Sequence, residues 1–146
     1  WLDEDVHVID VDKIRMHLPA WLEAKLAEKN DENAMINWEE VCENTQGESG
    51  YVAEVAAHYC ALCHGCFIFD ACFDGTAWHK LLLNFFKSHG MVVGVVFVDT
   101  PIEVAKARAV GRAKTTGRPV PEWLVVRKNK TCRETLNDLR DDAHFI

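Results

Sequence analysis

The chain has 146 residues, 49% of them apolar and 27% charged, with a net charge of −7. That length suits a single domain with a sizeable core, and the acidic balance argues against a general nucleic-acid-binding role, which needs a basic footprint. No apolar run reaches the length of a membrane span, and no charged-then-apolar leader opens the chain.

The six cysteines at 42, 60, 63, 66, 72 and 132 are scattered through apparent helices and strands. Free thiols in a reducing, intracellular compartment, the cytoplasm, are the expectation. The chain opens on Trp1, and residues 142–146 look like the start of a further strand. Both ends therefore read as cut from a longer polypeptide.

In chain order, Val6 to Ile9 reads as a buried strand ending on Asp10, followed by a short helix over about 12–16 that Pro19 closes. Residues 20–29 have helical apolar spacing at Trp21, Leu22 and Leu26. A short helix is expected over 35–42. Gln46–Gly50 reads as a breaker, with Ser49 as N-cap for a helix over 51–64 ended by Gly65.

A second strand, Cys66 to Phe69, ends on Asp70. A helix over 77–89 is closed by Gly90. Met91 to Val98 is a long apolar run of the kind found in strands covered on both faces, and it ends on Asp99. Pro101 suits the first turn of a helix to about 113. Lys114 to Pro121 reads as a mobile basic loop, and a last helix runs over about 122–139. The alternation predicts an α/β class with a mainly parallel sheet flanked by helices. No interior linker divides residues 1–146.

Ligands of open parallel sheets bind beyond the carboxyl ends of the strands. Three strands closed by aspartates thus mark one sheet edge as the working edge. Asp10 and Asp12 lie there with Arg15 just after them, Asp70 ends the second strand, and Glu54 sits on the helix before it. Arg108, Arg112 and Arg118 flank the basic loop. Carboxylates with arginines suit phosphoryl transfer, which needs a base, a magnesium ion and cations on the transferring group. The bland alternative is that strand-end aspartates cap the next helix and the arginines are solvated.

Ile9-Asp10-Val11-Asp12-Lys13-Ile14-Arg15, with Pro19 beyond it, resembles the I-D-x-D-x-[FI]-R…P signature of the zeta-toxin family. Asp70-Ala71-Cys72 through Trp78 is similar to its D-G-[ST]-L-x-x-T-x-W segment, and Thr116-Gly117-Arg118-Pro119-Val120-Pro121 to its T-G-R-x-V-P lid. The resemblance spans about residues 6–128. It implies a P-loop kinase-like fold and transfer of a phosphoryl group from ATP, with Mg2+, to a small-molecule hydroxyl such as that of UDP-N-acetylglucosamine.

Carried over by position, Asp12 is the catalytic base and Arg112 and Arg118 are the lid arginines on phosphate. Glu54, Asp70 and Cys72 contact substrate. Thr76 takes the place of Cys72 if the motif is read in the register of Asp74-Gly75-Thr76. Asp10 and Arg15 are further phosphate or magnesium contacts. Ala71 and Cys72 depart from the family's glycine and hydroxyl, and a thiol is the poorer hydrogen-bond donor.

The phosphate-cradling Gly-x-x-x-x-Gly-Lys-[Ser/Thr] loop does not occur within residues 1–146. The resemblance places that loop, with its central strand, before Trp1. A second function class is therefore carried alongside the kinase: an inactive relative serving as an interaction or scaffold module, or held by an inhibitory protein partner.

Two local patterns have plainer readings. Cys60-x-x-Cys63-x-x-Cys66, near His58, has metal-ligand spacing but fits small apolar packing equally well. His7, inside the first strand, is expected to be packed.

Overall fold

The computed structural model describes residues 6–31, 33–116 and 120–145. Helices make up most of the described residues, beside a two-stranded parallel sheet, so the class is α/β with a helical majority. The chain divides into two compact units, residues 1–71 and 72–146.

In the first unit, strand β1 (His7–Asp10) runs into helix α1 (Val11–Arg15), then α2 (Pro19–Asn30), α3 (Trp38–Leu62) and strand β2 (Phe67–Asp70). β1 and β2 pair in parallel, with His7 opposite Phe67 and Asp10 opposite Asp70. Both strands therefore end level. Pro19 opens α2 at its first turn, where its missing N–H costs nothing.

The breaker expected at Gln46–Gly50 does not form: α3 is one helix of 25 residues running through Gly47 and Gly50. Ser49 is not a cap but a buried interior residue, its hydroxyl donating to the Gln46 carbonyl at 3.1 Å. The reason is tertiary. Thr45, Ser49, Ala53, Ala57 and Ala61 recur every four residues and are all essentially buried, forming a ridge of small side chains on the face that meets α1, β1 and β2. Burying that ridge outweighs the helix cost of two glycines, about 1 kcal/mol each. The true start is Asn37, whose side chain accepts from the Glu40 N–H.

At its other end α3 leaves the helical conformation through His64 at φ +55, not through Gly65. The Gly65 N–H closes the turn on the Cys60 carbonyl at 2.8 Å. A second patch of core joins α2 to α3, where Trp21 and Trp38 meet at 5.1 Å between ring centres and the Lys25 ammonium lies 4.4 Å from the Trp38 ring.

The strands are less buried than their apolar sequences suggest. In β1 only Ile9 is buried, and His7 is exposed, not packed.

In the second unit, α4 (Thr76–Ser88), α5 (Ile102–Thr116) and α6 (Glu122–Asp138) precede a 3-10 turn at Arg140–Asp142. Leu82, Leu83 and Phe86 of α4 are buried, as are Thr135 and Leu139 at the end of α6. Gly90 follows α4 at φ +76, the left-handed conformation glycine adopts without strain.

The strand expected at 91–98 does not form: its one pairing among the described residues is an isolated parallel bridge, Gly94 to Phe145. The Val95 N–H donates to the Phe145 carbonyl at 3.0 Å and the His144 N–H to that of Val93 at 2.9 Å. Val92, Val96 and Val98 stand 75%, 89% and 79% exposed. Cover on both faces, the expectation for this run, is not what these valines have.

Candidate functional site

The first unit gathers a polar cluster at the carboxyl end of its strands. Asp10 closes β1 in an extended conformation and caps α1, its Oδ1 accepting from the backbone N–H groups of Asp12 and Lys13 at 3.0 Å each. The capping role weighed for strand-end aspartates is thus the observed one at Asp10. Lys13 adds a cation 3.7 Å from its other oxygen.

One residue into α1, Asp12 is half-exposed and its Oδ1 accepts from Arg15 Nη1 at 3.0 Å. Arg15 is buried, and its Nη2 donates to the Gln46 side chain of α3. The α1 turn is therefore pinned to α3 through a charged side chain. Asp70 is exposed at the end of β2, level with Asp10, and Glu54 is half-buried on α3.

An open depression of about 310 Å³ lies beside this cluster, lined by Val8, Ile9, Asp10, Lys13, Ile14, His17 and Ala56. Its floor is apolar, and its polar groups come from the end of β1 (Asp10), from α1 (Lys13) and from the turn after α1 (His17). Sequence reasoning named Asp10 and Asp12 but missed Gln46, because no local pattern ties a helix glutamine to an arginine 31 positions earlier.

The second unit holds the segment before α4. Residues 74–76 meet α6 at positions 128, 135 and 138. Lys128 pairs with Asp74, the Thr135 hydroxyl accepts from the Gly75 N–H at 3.2 Å, and the Thr76 hydroxyl donates to Asp138 at 2.9 Å. Burial pushes the Asp74 carboxyl up, but Lys128 and Thr131 outweigh it and hold it below the usual range. Gly75 turns the chain into α4 at φ +107. Thr76 is half-buried and already engaged, whereas Cys72 is exposed. The spacing of Lys128, Thr135 and Asp138, seven and three residues apart, is the helical signal that could have flagged this face.

His79 is buried beneath the same segment. Its Nδ1–H donates to the Gly75 carbonyl at 2.9 Å, and its ring packs against Phe73 and Trp78 at 4.3 and 4.6 Å. Burial lowers its pKa, more than the Gly75 carbonyl and Asp74 restore it.

Arg112 is exposed on α5. Arg118, with its neighbours Gly117 and Pro119 in the T-G-R-x-V-P segment, lies outside the described residues. Asp99, the third strand-end aspartate, is held by Arg133, whose Nε and Nη2 lie 2.9 and 2.6 Å from one oxygen. The structure thus brings Asp10, Asp12, Arg15 and Asp70 to one end of a strand pair, and Cys72 and Thr76 to one short segment.

Cys63 and Cys66 are exposed and Cys60 half-buried, so packing in a core does not explain all three. The hydrogen bond with Cys63 raises the pKa of the Tyr59 hydroxyl. Among the described residues no three metal-ligating side chains gather, and no helix is long and apolar enough to cross a membrane.

Compared with protein-family models, characterised proteins and solved structures, the chain matches none.

Proposed function

We propose that this chain carries the acceptor side of a phosphotransferase of P-loop kinase type, acting on a hydroxyl of a nucleotide sugar such as UDP-N-acetylglucosamine. The supporting observation is the Asp12 carboxylate, half-exposed two residues past a parallel strand, anchored by buried Arg15 and flanked by the level strand ends Asp10 and Asp70. A carboxylate held in that way can accept the hydroxyl proton as the new bond forms.

In this reading Glu54, Asp70 and Cys72 or Thr76 orient the acceptor. Arg112 and Arg118 steady phosphate oxygens, for which the planar guanidinium is suited. Asp10, which caps α1, positions Asp12 by fixing the turn that carries it. Arg15 does the same from the buried side.

ATP with Mg2+ enters as the donor complex, not as a resident group. Residues 1–146 contain no phosphate-cradling loop, and the described carboxylates form no three-ligand set. The residues present do not by themselves fit a nucleotide.

A scaffold reading is favoured by one feature, Cys72 at a position where the resemblance implies a hydroxyl contact. Titration of the purified chain with UDP-N-acetylglucosamine, followed by ATP turnover with and without the sugar nucleotide, separates the two. Sugar-dependent phosphorylation that Asp12→Asn abolishes, with the fold retained by circular dichroism, supports the kinase. Turnover unchanged in Asp12→Asn, or no binding of the sugar nucleotide to the natural sequence, overturns it.

A further inference from the structure

Helix α3 is apolar on two sides. The ridge from Thr45 to Ala61 is buried. Over residues 51–62 the opposite side carries Tyr51, Val52, Val55, Tyr59 and Leu62, which stand 68%, 42%, 49%, 69% and 58% exposed. Positions 52, 55, 59 and 62 repeat at intervals of three, four and three residues, the spacing of a seam that receives a second helix. The chain has two tyrosines, and both lie on this stripe, where an amphipathic ring suits an interface. A contiguous apolar patch on a surface helix marks an interaction site.

We propose that this stripe pairs with the same stripe of a second copy of the chain, antiparallel and about a two-fold axis, in a dimer that exchanges with monomer. Such a self-complementary contact brings Val52 opposite the second copy's Leu62, and Val55 opposite its Tyr59.

Charge decides the direction. α3 holds five glutamates, at 39, 40, 43, 48 and 54, and neither lysine nor arginine. A parallel pair sets each carboxylate level with its twin, which costs association energy. The antiparallel pair carries Glu39, Glu40 and Glu43 past the end of the other helix. It sets Glu48 beside the turn that holds exposed His64, whose ring N–H can donate to a carboxylate.

Area decides the strength. The five exposures correspond to about 500–600 Å² per copy, or about 1,000–1,200 Å² for the pair, at the small end of specific interfaces. Contacts of that size are of the weak, transient kind. All five side chains belong to the first unit, and the association is independent of the phosphotransferase reading.

The test is sedimentation equilibrium of the purified chain across the micromolar range. The average mass is expected to rise with concentration from one chain toward two. Tyr59→Glu, with its helix content checked by circular dichroism, should stay at one chain throughout. Ruthenium-sensitised photo-oxidation of the natural sequence, mapped on peptides, reads the contact without a variant. It should join the copies through Tyr59 and leave no Tyr51–Tyr51 link, because those two rings stand about 18 Å apart along the antiparallel pair at 1.5 Å of rise per residue. A mass of one chain at every concentration, or a Tyr51–Tyr51 link, overturns the pairing. So does a dimer that persists in Tyr59→Glu; its loss in Val96→Lys would assign the association to residues 91–98 instead.

Discussion

Arg15 and Asp12 form an ion pair of unequal depth: the guanidinium is 2% exposed and the carboxylate 53%, with 3.0 Å between them. Such a pair does not respond evenly to loss of its two members. Removing the carboxylate leaves a buried cation short of a partner, whereas removing the cation leaves a carboxylate that water can reach. Asp12→Ala is therefore expected to lower stability by about 1–2 kcal/mol, the range for a hydrogen bond to a charged group after allowing for solvent screening. Arg15→Met, which keeps most of the packed volume, is expected to cost less. Urea midpoints for the two variants check the order, and a larger loss in Arg15→Met would contradict it.

The glycines of α3 offer a gain. Gly47 and Gly50 lie in helical backbone, and a methyl group at either position meets nothing within 4 Å. Gly47→Ala and Gly50→Ala should each stabilise the chain by about 0.5–1 kcal/mol, through the unfolded state as well as the helix. Thermal melts read this directly. A fall in melting temperature for both variants would mean that α3 is broken there.

Gly94 is required by Phe145. A Cβ at position 94 would overlap the Phe145 ring, so Gly94→Ala must push the ring away or part the bridge between the two segments. The expected cost is about 1–3 kcal/mol, as for overpacking elsewhere. In a Phe145→Ala background the same substitution should be almost neutral, because the obstacle is gone. Equal costs in both backgrounds would show that the ring is not the cause.

His79 sets a pH dependence. Its folded pKa lies below the ordinary histidine value because burial disfavours the cation. The unfolded chain therefore binds the proton more readily. The stability associated with the neutral ring is complete above about pH 6.5, the unfolded value, and is lost as pH falls through the lower folded value. His79→Asn, with an amide able to reach the Gly75 carbonyl, should flatten the stability profile below that point. An unchanged slope in the His79→Asn variant would place the acid sensitivity elsewhere.

Much of the fold could be read in advance, and the misses share a cause. Helices α2, α4, α5 and α6 were legible because apolar spacing and the punctuation of Pro19, Gly90, Pro101 and Pro121 agreed. The parallel pair β1–β2 followed from two apolar runs each ending on aspartate. Gly47, Ser49 and Gly50 misled because local turn chemistry was weighed without the ridge from Thr45 to Ala61, whose burial decides the matter. Residues 91–98 read as a strand and form only one isolated bridge, because pairing depends on what lies beside them, which their own residues do not encode. At the site, Asp10 and Asp12 were visible from their place after a strand. Gln46, Lys128, Thr135 and Asp138 were not, since each acts on a residue more than 30 positions away.

The bare valines at 92, 96 and 98 have a colloidal consequence. The backbone groups of Val93 and Val95 turn toward residues 144 and 145, so those of Gly94 and Val96 face the opposite side by the alternation of a strand. Residues 91–98 contain no charge and no proline, and an uncharged apolar edge of that kind templates cross-chain pairing. Turbidity of the purified chain will therefore rise steeply with protein concentration, and changes in salt that screen the net charge of −7 will hasten it by removing the repulsion that keeps molecules apart. Val96, the most exposed of the three, is the place where one lysine would extend the shelf life of concentrated stocks with little effect on the fold.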